Sequence, residues 1–134
     1  MKFKLTLIAI GVTALGGCAG LNTERLPDDA SHIKLIGVSS PKVIVRTPEL
    51  RSKASRLELD GTVERAFGAD TTEHIHLTVS FYDQTGLILR NEETDFAPRN
   101  LNSYRRSAFH HGYYRVPLAL LPAGTTRIEV RAHE

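Results

Sequence analysis

Three stretches of the chain alternate apolar and polar side chains with a period of two, the mark of a strand with one buried face. In residues 56–64, Leu57, Leu59 and Val63 fall on one side and Arg56, Glu58, Asp60 and Glu64 on the other. In residues 74–82, Ile75, Leu77, Val79 and Phe81 point inward, while His74, His76, Thr78, Ser80 and Tyr82 point outward. Near the C-terminus Ile128, Val130 and Ala132 alternate with Arg127, Glu129 and Arg131, after a turn at Pro122-Ala123-Gly124. Asp83-Gln84-Thr85-Gly86 reads as a hairpin turn, with Gly86 supplying a positive φ, and residues 87–90 begin the returning strand. Residues 33–38 and 43–46 are less regular and are expected as edge strands, shortened by Pro41 and Pro48. Residues 105–118 are apolar or aromatic on both faces, fitting one long strand or two short ones broken at Gly112. No segment carries a sustained helical stripe. About seven short strands with turns between them predict an all-β, antiparallel sandwich over residues 32–134.

The N-terminus has a different pattern. Lys2 and Lys4 precede an apolar run, residues 5–14, that is too short to span a bilayer, and small residues follow it. This is the layout of an export signal. Its last four residues, Leu15-Gly16-Gly17-Cys18, resemble the lipobox of bacterial lipoproteins, whose cysteine is lipidated and becomes the new N-terminus. The resemblance implies a signal peptide over 1–17, a lipid on Cys18, and three acyl chains that together hold the protein at the membrane, where one alone would be marginal. Ala19 and Gly20 follow the cysteine in place of an inner-membrane retention aspartate, which in a Gram-negative cell implies the periplasmic face of the outer membrane. Residues 18–31 are expected as the lipidated end and a flexible tether of turn-forming composition.

Processing would change the charge balance. Of 134 residues, 117 would remain, and the 17 basic side chains would lose Lys2 and Lys4, leaving 15 against 15 acidic ones. The apparent basicity therefore belongs to the signal, and nucleic acid is not an expected partner. Cys18 is the only cysteine, so its lipidation would leave no thiol for disulfides, metal binding or catalysis.

A second resemblance lies in the body of the chain. Phe81-Tyr82-Asp83-Gln84-Thr85-Gly86 and the aliphatic run after it look like the F-x-L-Y-D region of extracytoplasmic immunoglobulin-like domains, although Ser80 and Phe81 sit out of the motif's register. In those domains a strand ends in Tyr-Asp, turns on a glycine, and returns through a proline-containing stretch to a final strand. Residues 59–63 fit the earlier strand, and Ala97-Pro98 and residues 109–116 the later parts. The resemblance spans roughly residues 57–131 and implies an immunoglobulin-like β-sandwich. It implies little about function, since a fold does not determine one.

Two groups of side chains could carry chemistry. His74 and His76 lie two apart, so on a strand both imidazoles share the outward face. His110-His111 forms a second pair, of which strand alternation would let only one join the first. Neutral imidazoles suit zinc, copper or nickel; surface histidines on a solvated sheet are the alternative reading. The other group is the set Arg99, Tyr104, Arg105, Arg106 and Tyr114, close to Tyr113 and Arg115. Arginine and tyrosine together mark partner-binding surfaces, whereas cross-strand pairing of arginine with acids is the competing explanation. There is no G-x-S-x-G, H-E-x-x-H or Gly-rich phosphate loop, so no catalytic residues and no cofactor are expected. The expected function is that of a non-catalytic, lipid-anchored envelope protein, a scaffold or binding module for another envelope protein or glycan. The alternative is a periplasmic metal-binding lipoprotein.

Overall fold

A computed structural model of the protein describes residues 30–102 and 110–134. The expected signal and most of the expected tether, with Cys18, lie outside the described residues, as do Tyr104, Arg105 and Arg106. Ala30, near the end of the expected tether, is buried against the core.

Among the described residues the fold is all-β, with eight strands in two sheets that pack as a sandwich: β1 (Lys34–Val38), β2 (Val43–Val45), β3 (Glu49–Lys53), β4 (Arg56–Arg65), β5 (His76–Tyr82), β6 (Ile88–Thr94), β7 (His111–Leu118) and β8 (Arg127–His133). The first sheet has the order β1-β8-β5-β6. Its pairs are antiparallel except β1 and β8, which run parallel with Lys34 opposite Arg127 and Val38 opposite Arg131. The second sheet is built around β4. β7 pairs along one edge of it, from Leu57↔Leu118 to Glu64↔His111. β2 and β3 share the other edge end to end, β3 against 56–60 and β2 against 63–65. Between them the ladder is interrupted opposite Gly61 and Thr62, where Arg46 N donates to Thr62 O.

The alternating positions form the core. Leu59, Val63, Ile75, Leu77, Val79, Phe81, Ile128 and Val130 are each 0 or 1 % exposed. Together they hold the sheets by removing contiguous apolar surface from water, at about 25 cal/mol per Å². Phe96 and Leu101 join them from the segment after β6. There a backbone bridge from Ala97 to Tyr113 and the Thr72 hydroxyl, which donates to Arg99 O and accepts from Leu101 N, hold the chain over one end of the core.

The two expected edge strands are β1 and β2. Gly112 does not break its strand: it lies inside β7, where an added Cβ would come within 2.7 Å of the Phe96 ring and 2.9 Å of Val63. β3 is the additional strand, and the parallel β1–β8 pair departs from purely antiparallel pairing. The β5–β6 hairpin turns where expected, with Gly86 at φ 85°. Asp83 Oδ1 accepts from Thr85 N, Thr85 Oγ1 and Leu87 N, and these bonds hold its carboxyl below the usual carboxylate range.

Candidate functional site

The longest cross-strand ladder among the described residues, β4 against β7, builds two features of chemical interest. At one end Glu64 and His111 are directly opposed and both face outward, and His111 Nε2 lies 3.1 Å from Glu64 Oε1. His110 is the residue just before β7 begins, so strand alternation does not govern it. Its ring stands perpendicular to that of His111, at 89° and 4.9 Å between centroids. His110 is buried, and its Nδ1 lies 3.0 Å from the carbonyl of Asn102. A carbonyl can only accept, so Nδ1 carries a hydrogen, and in the neutral ring Nε2 is then the nitrogen with the free lone pair. One donor atom from each of Glu64, His110 and His111 lies within 4.8 Å of the other two.

Arginines organise the surroundings. Arg46 forks onto Glu64, with Nε to Oε1 at 3.0 Å and Nη2 to Oε2 at 2.8 Å. That fork, with a smaller contribution from His111, holds the Glu64 carboxyl below its ordinary range against the opposing effect of burial. Arg65 turns the other way and donates to the carbonyls of Ala69, Asp70 and Leu101. It thereby pins the loop 66–70, which turns at Gly68 with φ 78°. The result is an open cavity of about 830 Å³ with Glu64, His110 and His111 in its wall. Ile44 and the fully exposed Phe67 line it as apolar elements.

The second feature lies three residues back along β4, at the interrupted ladder. Gly61 faces Tyr114, whose ring crosses directly over it. Tyr114 is 3 % exposed, and its hydroxyl is buried without a hydrogen-bond partner. Burial, with Asp60 nearby, pushes the phenol well above the ordinary tyrosine range. Tyr114 also contributes to the wall of a cleft of about 340 Å³, which is rimmed by Arg51, Asp60, Arg115 and the 62 %-exposed ring of Tyr113.

The histidines anticipated from the sequence therefore separate into two places. His76, on β5 in the first sheet, turns to Asp95, with Nδ1 2.9 Å from Oδ1, and pairs across the strands with His133. His74 is exposed in the turn before β5. Neither belongs to the three-donor cluster, whereas His110 and His111 both do, joined by Glu64. Of the arginine–tyrosine set, Tyr114 is buried rather than presented at the surface, because β7 turns it inward in the same alternation that turns Tyr113 out. Arg99 donates to Asp95 Oδ1 and to the carbonyl of Glu73 at 2.6 Å each, with its guanidinium 5.3 Å from the Phe96 ring. It fastens the 95–101 segment. Arg46, Arg51 and Arg115 reach across to Glu64, Asp60 and Glu58 of β4. Arg51 with Glu49, Arg90 with Glu92 and Arg131 with Glu129 pair two residues apart on one strand. Pairing with acids thus accounts for these arginines, but only part of it is cross-strand.

Sequence alternation gave Glu64 no special standing, because an outward acid on a half-buried strand is ordinary. Only the β4–β7 register brings it to the histidines, and a Glu facing a His-His pair across an antiparallel ladder is a signal that needs the pairing to be known. Compared with protein-family models, with curated proteins and with solved structures, the chain finds no match in any of the three.

Proposed function

We propose that the protein is a non-catalytic, lipid-anchored component of the bacterial cell envelope. Its immunoglobulin-like β-sandwich is held at the periplasmic face of the outer membrane through Cys18 and acts as a binding module for another envelope component. The Leu15-Gly16-Gly17-Cys18 sequence after a short apolar run supports the anchor. The observation that carries the binding reading is the Tyr113–Tyr114 cleft. It offers an exposed aromatic ring and charged side chains of both signs. Tyrosine and arginine around a partly desolvated pocket give both apolar contact area and directed hydrogen bonds.

The test is crosslinking in intact cells with a photoreactive residue in place of Tyr113, and with one at the outward Thr78 of the other sheet as control. A discrete adduct from 113 that is absent from 78 is expected. No adduct at 113, or the same adduct from both positions, rejects the cleft as a partner site. In parallel, Cys18→Ser should abolish lipid labelling and leave the precursor with its signal attached. A variant processed and labelled like wild type rejects the anchor.

A further inference from the structure

We propose that Glu64, His110 and His111 form a binding site for a divalent transition metal of the zinc class, with one coordination position open to the cavity beside the 66–70 loop. Two imidazole nitrogens and one carboxylate oxygen are the donor set of open zinc sites, and imidazole donors discriminate against calcium and magnesium, which prefer oxygen alone.

Three independent observations support it. The first is convergence: the donor atoms already lie within 4.8 Å of one another. Around a tetrahedral zinc with bonds near 2.0–2.1 Å, ligand atoms are about 3.4 Å apart. Small side-chain rotations close that gap, and His111 and Glu64 stand on neighbouring strands of one rigid ladder. The second is the tautomer of His110. The Asn102 carbonyl fixes the hydrogen on Nδ1 and leaves Nε2 as a free donor, the backing that metal-bound histidines usually have. The third is the treatment of the carboxylate. Arg46 donates to both oxygens, Nη2 to Oε2 and Nε to Oε1, and Oε1 also meets His111 Nε2 at 3.1 Å. One carboxylate oxygen of Glu64 is thus directed to the imidazoles while the other keeps an outer hydrogen bond, the support that ligating carboxylates usually have.

A metal ion would replace the hydrogen that now bridges His111 Nε2 and Glu64 Oε1, and that hydrogen would be kept on His111 Nδ1. The positive charge of Arg46 opposes the ion, but its side chain is 57 % exposed and can turn into solvent. Three protein ligands leave a fourth position, which faces the cavity of about 830 Å³. Water or a small ligand would occupy it. This site is separate from the Tyr113–Tyr114 cleft, and either can exist without the other.

The experiment is calorimetric titration of the full-length chain, purified in detergent and stripped with chelator, using Zn²⁺ alone. Saturable binding of one ion per chain is expected. Glu64→Gln and His111→Ala should each weaken it about tenfold or more, given that losing merely an outer partner of a ligand has an effect of that size. His76→Ala should leave it unchanged. Because His110 is buried and its substitution could disturb the fold, Glu64→Gln, with native circular dichroism, is the deciding variant. Absence of saturable Zn²⁺ binding overturns the site. So does binding that survives Glu64→Gln, or binding that His76→Ala abolishes.

Discussion

At the scale of single residues, Gly61 is the position where the ladder is least tolerant. A Cβ there would fall within 2.6 Å of Tyr114 Cζ, and the aromatic ring is locked by the core behind it. Gly61→Ala should therefore lower stability by about 1–3 kcal/mol, the usual effect of overpacking, measured by urea unfolding. The same substitution should perturb the Tyr113–Tyr114 cleft and leave the Glu64 cluster assembled. Asp95 supplies a pH dependence. The His76 hydrogen bond first, and then Arg99, hold its carboxyl below the ordinary range. The unfolded chain therefore takes up this proton at a higher pH than the native protein does. Its contribution is complete above the unfolded value and is lost as pH falls from about 4 through the depressed native one. Asp95→Asn should flatten part of the acid limb of a stability–pH curve. Identical curves for the two proteins would show that the carboxylate contributes nothing. At this scale the sequence identified side-chain types but not neighbours. His110 and His111 stood out as a pair, yet the partner that completes them lies 47 residues away in the chain from His111.

At the scale of elements, legibility followed burial. β4, β5 and β8 were plain in the alternation because each has one face against the core. β3 was not, because Leu50 is its only buried side chain and its hairpin to β4 turns on Ala54 and Ser55, with none of the usual Asn-Gly signal. Both residues have positive φ, 48° and 64°, as a two-residue primed turn requires. Replacing them with Asn and Gly should raise stability by about 1–2 kcal/mol, the strain an L-residue carries in that region, read as an increase in the urea midpoint with an unchanged slope. β6 shows the opposite mismatch. The apolar run Leu87-Ile88-Leu89 is exposed at the hairpin, whereas Arg90 and Glu92, which pair across the ladder with the buried Phe81 and Val79, share their inner side. Arg90 lies 4.6 Å over the Phe81 ring and closes the rim of the core at this edge. Inward charges of this kind discourage further strands from adding to a sheet edge.

At the scale of the whole molecule, β4 carries both candidate sites, because it alone is paired on both edges within its sheet. Gly61 and Glu64 are three residues apart, about 10 Å along an extended strand, and each meets its partner on β7. The all-β character and the two-layer arrangement were readable from period-two patterns and turn residues. The strand order was not, because patterning reports which face is buried and says nothing about which strands are neighbours.

The parallel pairing of β1 with β8 has a consequence for the timing of folding. β8 follows every other strand of the sandwich in the chain, yet it lies between β1 and β5. Until residues 127–133 have been made, β1 has no partner and β5 lacks its inner neighbour. A nascent chain therefore cannot close its first sheet while it is still being synthesised or threaded through an export channel. A chain ending at Thr126 should be digested rapidly under conditions in which the full chain resists protease. Equal resistance of the two would show that the sandwich closes without its last strand. If the chain is exported as the proposed signal implies, a sheet that waits for its last strand would be a built-in delay on premature folding.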